Sequence, residues 1–368
     1  MFKQYRLRDY RFSLVIMVLA ISIIGVLVVG SARADLQGRQ LLGLCLGVIV
    51  LIAASLIDYT YFLNVYWLLY FGNIVLLLLV RFFGEERNYA KRWLVIAGIQ
   101  FQPSELAKIL LIIFFAKFIM NHKDNLNTVR IIAASIALLA VPLFLIYDQP
   151  DLSTSIVIAV VFCIMLYIGG LSYKLILTVL AIAVPCVVVF ISLVVQSGQD
   201  ILEDYQYNRI MAWLYPEKYA SSTAMQQLNS IIAIGSGQLT GKGLNNNIVG
   251  SVKNGNFISE PQTDFIFAIA GEELGFIGSC VIVGLIACIV FECIWIGMRA
   301  KDLAGRIICA GIGSLIGIQS FINIGVATGL LPNTGLPLPF LSYGLTSLVT
   351  LFFGMGIVLN VGLQRSRF

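Results

Sequence analysis

Apolar runs close to the length a helix needs to cross a bilayer, about 20 residues, recur along the whole of this chain. Ten can be drawn: Ser13–Gly30, Leu41–Ile57, Phe62–Val80, Leu106–Met120, Ile131–Tyr147, Ser153–Ile168, Leu175–Val195, Phe265–Trp295, Ile307–Leu330 and Phe340–Leu363. In hydrocarbon a backbone satisfies its own polar groups only as a helix or in a closed barrel, and runs this long are helical. The chain is 59% hydrophobic and 12% charged, whereas soluble domains hold about 45–50% and about 25%. The expected fold class is all-α: a polytopic integral membrane protein with about ten transmembrane helices, forming a single membrane domain over residues 1–368.

Basic residues set the expected orientation. Lys3, Arg6, Arg8 and Arg11 precede the first run, and Arg365 and Arg367 follow the last. Lys123 and Arg130, then Arg299, Lys301 and Arg306, fall in loops on that same side. Loops rich in Lys and Arg stay inside, so both termini are expected in the cytoplasm and Ala32-Arg33-Ala34 is read as the end of a retained first helix rather than a cleavage site. The two longest loops, Arg81–Pro103 and Gln196–Thr263, then face outward. The larger, 196–263, carries Tyr205, Tyr207, Trp213, Tyr215 and Tyr219, an amphipathic stretch Met225–Ile234 and a glycine-rich run Ile234–Leu244. Short surface helices and a tight glycine turn folded over the bundle are expected there. The inner loops account for much of the net charge of +5, and no basic patch with interleaved aromatics suggests a nucleic-acid partner. The seven cysteines lie in apolar runs without metal or disulfide spacing, and the single histidine, His122, is in an inward loop.

Polar groups inside such a chain are the functional candidates, because they are costly at membrane depth. Asp264 stands where the polar loop ends and the apolar run 265–295 begins. It can cap the helix N-terminus, or serve as a general base whose pKa burial raises. Glu272 and Glu273 follow two turns later and read as a polar contact between helices or with a lysine. Glu105 and Lys108 sit three apart on one face of a helix that Pro103 and Ser104 start, either as a structural ion pair or as the wall of an outward cavity. Lys91, Arg92 and Trp93 precede them and could meet a phosphate and a sugar or lipid face. Asp148 and Asp151 flank Gln149-Pro150 in a short outward turn, Asp151 as a helix cap or a site residue. In Asn323–Ser347 three prolines and several glycines break the helices, implying a cavity or re-entrant turn with Ser342 and Tyr343 as polar lining. Arg209, Lys218, Lys242 and Lys253 make the long loop basic, and its glycines offer backbone N–H groups of the kind that cradle anions.

The ordered set AKRW…FQPSELAK, QPDLST, AIGSGQLTGKGL, SEPQTDFIFAIAGEELG and NIGVATGLLPNTGLPLPFLSYGLTS resembles the SEDS family of bacterial shape, division and sporulation proteins, which includes RodA, FtsW and SpoVE. The LPLPFLSYG form and short termini look more like the RodA or SpoVE branches than a long-tailed FtsW. The resemblance implies a peptidoglycan glycosyltransferase, placed in the bacterial plasma membrane, that polymerises lipid II outside it in elongation, division or sporulation. It implies a partnership with a class B penicillin-binding protein. It places Asp264 on the family's essential aspartate, Glu105 and Lys108 on its paired residues, Trp93 on its motif tryptophan and Arg209 on its loop arginine. Met225-Gln226 and Asn229-Ser230 replace the usual Tyr-Gln and Gln-Ser pairs, leaving Gln226 and Ser230 as the matching contacts; SYGLTS replaces SYGGSS.

On this reading Asp264 takes the proton of a sugar hydroxyl, and a pyrophosphate departs. Lys91, Arg92, Lys108, Arg209 or Lys242 would offset its charge; a divalent ion such as Mg or Mn is another means, with no ligand cluster visible. Two alternatives are a lipid II flippase, which needs a polar path to the cytoplasmic face, and a non-catalytic scaffold that recruits the transpeptidase.

Overall fold

The computed structural model describes residues 10–87, 90–96, 99–178, 204–219, 224–245 and 257–364, with a few isolated residues between these stretches. Its helices are α1 (Phe12–Ala32), α2 (Ala34–Leu56), α3 (Tyr59–Asn64), α4 (Tyr66–Phe83), α5 (Pro103–Asn121), α6 (Val129–Tyr147), α7 (Leu152–Ile168), α8 (Asp204–Leu214), α9 (Met225–Ser236), α10 (Ile266–Met298), α11 (Leu303–Ala327) and α12 (Leu345–Leu363). Seven of the described helices are long and apolar enough to cross a membrane by length and composition: α1, α2, α4, α6, α10, α11 and α12. Two more coincide with expected spans. One is α5, which carries Glu105, Lys108 and Lys117, and the other is α7, which is 17 residues long. The remaining expected span, Leu175–Val195, lies largely outside the described residues.

One element departs from the all-helical expectation. Between α4 and α5 the chain forms three antiparallel strands, β1 (Glu85–Arg87), β2 (Ala90–Ile96) and β3 (Ile99–Phe101), in that order across the sheet. Glu85 pairs with Trp93, and Leu94 with Phe101. The alternating and β-branched residues of RWLVI and IQF favour extended backbone.

Close packing among these helices depends on small residues, since lipid tails are as apolar as Leu and give helices no hydrophobic reason to associate. α2 lies along α12. At Gly356 a Cβ would come 2.7 Å from the carbonyl oxygen of Leu51, so this crossing excludes any larger residue.

The longest helix, α10, is interrupted at Gly275, where φ is 68° and ψ −165°. A break frees backbone groups that lipid cannot satisfy. The glycine-rich loop after α9 fills it. Lys242 N donates to Glu272 O at 3.0 Å and Gly243 N to Glu273 O at 3.0 Å, while Phe276 N donates to Gln238 O at 2.8 Å and Ile277 N to Leu239 O at 3.2 Å. The approach needs glycine on both sides: a Cβ at Gly241 would sit 2.2 Å from Glu273 O, and one at Gly275 would sit 2.3 Å from Gly241 N. The expected glycine turn over the bundle is therefore present, with α9 covering the expected amphipathic stretch. Its amides at Lys242 and Gly243 are engaged by α10 carbonyls, so they are not the anion cradle that the sequence suggested.

Candidate functional site

Asp264 lies one residue before the N-cap of α10, Phe265, and no side-chain hydrogen bond caps this helix. The capping alternative is thereby overturned; α10 starts too late for the carboxylate to reach its first amides. The residue is instead held by its backbone and its neighbours. Asn323 Nδ2 donates to Asp264 O at 2.8 Å and to Leu336 O at 2.6 Å. Ser342 Oγ donates to Thr263 O at 2.6 Å, and Tyr343 N to Gln262 O at 2.8 Å. The stretch between α11 and α12 thus runs beside the entry to α10. Gly335, with φ 71°, comes so near the carboxylate that a Cβ there would be 3.4 Å from Asp264 Oδ2.

The carboxylate is partly buried, and its pKa is raised from 3.8 to about 6. Burial is the largest cause; the Arg209 charge opposes it, Glu260 adds to it, Arg92 opposes and Asp151 adds. Four sequence-distant segments, β2, the start of α7, α8 and the approach to α10, therefore act on one acid. Arg92 is fixed there by the turn before α7, where its Nε donates to Gln149 O at 3.0 Å and its Nη2 to Pro150 O. Both partners are neutral, so the guanidinium keeps its charge for the site. Asp151 caps α7, accepting from Thr154 N at 3.2 Å, and its charge adds to the rise at Asp264.

Glu105 and Lys108 form the ion pair, 2.6 Å apart, with both side chains almost wholly buried at 3% and 2% exposure. Ser347 Oγ donates to Glu105 Oε2 at 2.8 Å, Lys108 Nζ donates to Gln319 Oε1 at 2.9 Å, and Gln319 Nε2 donates to Pro337 O at 2.9 Å. Four residues further along α11, on the same face, Asn323 takes up Leu336 O and Asp264 O. Polar contacts thus run from the ion pair to Pro337 O, and from the adjoining Leu336 O to the backbone of Asp264.

Several other predicted contacts have structural partners. Lys242 pairs with Glu272 at 2.6 Å, and Glu273 accepts from Ser31 Oγ of α1, in line with the interhelical reading of the two glutamates. Ser230 Oγ donates to Ala327 O at 2.7 Å, fastening α9 to the end of α11. Gln226 contacts Ser259 in the loop. Ser342 serves the backbone ties above, and accepts from Leu338 N at 2.7 Å. Trp93 is partly buried on β2, and the side chain of Lys91, like Lys253, lies outside the described residues. Among the described residues no group of three or more His, Cys, Asp or Glu side chains gathers as metal ligands. Gln319 and Asn323 went unnoticed in the sequence, although two amides four apart in the apolar run 307–330 were a visible signal.

Comparison with known proteins gives concordant results. The family model FTSW_RODA_SPOVE, described as a cell cycle protein, matches residues 10–367. The peptidoglycan glycosyltransferase MrdB of Escherichia coli K12 is 33% identical, covering 96% of this chain and 93% of its own. A chain from a peptidoglycan synthase complex that coordinates polymerization and crosslinking superposes with a TM-score of 0.78 at 28% identity, covering 96% of this chain and 97% of that one. The rod shape determining protein RodA of Thermus thermophilus superposes with a TM-score of 0.70 at 26% identity, covering 98% of each chain.

Proposed function

This chain belongs to the FtsW/RodA/SpoVE family, and from that premise we propose that it is a peptidoglycan glycosyltransferase with Asp264 as its general base and lipid II as its substrate. The observation that carries the assignment of the base is a partly buried carboxylate with a pKa raised to about 6, under the charges of Arg209 and Arg92. A base works best when its pKa lies near the working pH.

Asp264 accepts the proton of the acceptor sugar's hydroxyl as that oxygen attacks the anomeric carbon of the donor. The bond from that carbon to the pyrophosphate oxygen breaks, and the lipid pyrophosphate leaves with the electron pair. Arg92 and Arg209 offset the charge that develops on it. A single displacement inverts an α-linked donor into a β-linked glycan, and pyrophosphate needs little acid assistance, so one carboxylate suffices. Glu105 and Lys108 act as positioning residues through Gln319 and Asn323. The step above uses only this chain's own groups.

The site end faces outward with both termini cytoplasmic, supported by the basic inner loops. A class B penicillin-binding protein is the partner that would crosslink the product, a reading supported by the likeness to a synthase complex. A flippase needs a polar path to the cytoplasmic face, and it is disfavoured because the pocket at Lys108 is otherwise lined by apolar side chains, among them Leu111, Phe115, Phe162, Met165 and Leu315. The test is polymerisation of lipid II by purified protein: wild type makes glycan strands, and Asp264→Asn is expected to lose about 10²–10⁴ in rate. Polymerisation by Asp264→Asn at close to the wild-type rate would remove Asp264 from the role.

A further inference from the structure

Around Asp264 and in the segment leading to Gly335, buried side-chain atoms without a hydrogen-bond partner include Asn323 Oδ1, Asn333 Oδ1 and Thr334 Oγ1, besides Gln262 Oε1. The orientation of the Asn323 amide is set by its Nδ2, which gives both its hydrogens to backbone carbonyls, so the remaining atom is an acceptor. Asn333 and Thr334 immediately precede Gly335, the residue against the Asp264 carboxylate. Their segment is held on two sides. Ser153 Oγ, two residues after Asp151, donates to Thr334 O at 2.8 Å, and Asn323 holds Leu336 O. These ties fix the Asn323 amide and the backbone of the segment that carries Asn333 and Thr334.

A buried acceptor left unpaired costs about 1–3 kcal/mol, and native structures place a water or a ligand against such groups. The chemistry of these atoms selects the ligand. The two amide oxygens are acceptors that repel a pyrophosphate and attract the hydroxyl and amide N–H donors an N-acetylated sugar presents, and the Thr334 hydroxyl can accept or donate to the same groups. The cations acting on Asp264 come from other elements, β2 and α8. We propose that Asn323, Asn333 and Thr334 form the subsite for the acceptor saccharide, presenting its hydroxyl to Asp264, while the donor's pyrophosphate is drawn to Arg92 and Arg209. This rests on the glycosyltransferase reading and adds the side from which each substrate approaches.

The test compares wild type, Asn333→Ala, Thr334→Val and Thr334→Ser. Affinity for fluorescent lipid II is measured directly in detergent, beside initial rates of polymerisation across pH and melting of each variant. Loss of one hydrogen bond of about 0.5–1.5 kcal/mol corresponds to about two- to tenfold weaker binding. Asn333→Ala and Thr334→Val are each expected to weaken lipid II binding and raise KM by that factor, with kcat and the acidic limb of the pH profile unmoved. Thr334→Ser, which keeps the hydroxyl, recovers most of the affinity. Unchanged affinity in both variants overturns the subsite. So does a fall in kcat or a displaced acidic limb at constant affinity, which would make these residues supports for Asp264. A wild-type protein that binds lipid II without polymerising it counts against the glycosyltransferase reading, and the affinity comparison still decides the subsite.

Discussion

Replacing Asp264 by asparagine separates catalysis from stability, and the two effects run in opposite directions. The folded protein holds this carboxyl at a pKa of about 6 against 3.8 for an ordinary one, which corresponds to about 3 kcal/mol between the two protonation states. The sign follows from proton binding: between pH 3.8 and about 6 the folded state holds more proton than the unfolded one, so stability falls as pH rises through that window. Above it the ionised carboxylate costs its full amount. Screening at the partly exposed face reduces this to about 1–3 kcal/mol. Asp264→Asn removes the ionisation, so at pH 7.5 the variant is expected to melt a few degrees above wild type in detergent. The difference should close as the pH approaches 4. The same substitution removes the base, with a loss of about 10²–10⁴ in turnover. The assays are a melting series from pH 4 to 8 and lipid II polymerisation on the same preparations. An Asn variant that melts below wild type at pH 7.5, or with a difference independent of pH, would refute the claim that the fold strains against this charge.

Three further outcomes are expected. Polymerisation rate should rise with pH along a limb centred near 6, the value set for Asp264; Arg209→Ala, removing the strongest opposing charge, should move that limb to higher pH, and Glu260→Gln to lower, as read from initial rates across pH. Lys108→Ala leaves Glu105 buried without its cation, a loss of about 3–5 kcal/mol, whereas Glu105→Gln combined with Lys108→Gln should restore part of the melting temperature in a double-mutant cycle. Gly275→Ala forces a side chain into a left-handed backbone position 2.3 Å from Gly241 N, and should lower the melting temperature far more than Gly284→Ala, a position on the same helix with open space around it.

Much of this molecule was legible because hydrocarbon leaves a chain few options. Apolar length announced the helices, and the prolines and glycines of 323–347 announced a broken segment at the site. What escaped depended on register or on distant partners. Whether Asp264 also caps α10 turns on a single residue in where that helix begins, finer than any periodicity resolves. The sheet of residues 85–101 falls in an expected loop, although AKRWLVI and IQF, separated by Ala97-Gly98, carry a hairpin signal. Glu105 and Lys108 were correctly paired by their spacing, but their burial depends on Ser347 and Gln319, more than two hundred residues away. The amides of the glycine run looked available for an anion because nothing local shows that Gly275 interrupts a helix and recruits them.

The interruption in α10 also bears on the order in which the protein is completed. The four backbone groups that Gly275 leaves open are matched by residues 238–243, which leave the ribosome before α10 does. The gap can therefore be closed as soon as that helix enters the bilayer, without waiting for the rest of the chain. The ties on Asp264 have the opposite timing, since Asn323, Ser342 and Tyr343 all follow it. A nascent chain halted after α10 would hold a sealed membrane helix and an unanchored acid, so catalytic competence is among the last properties this protein acquires during synthesis.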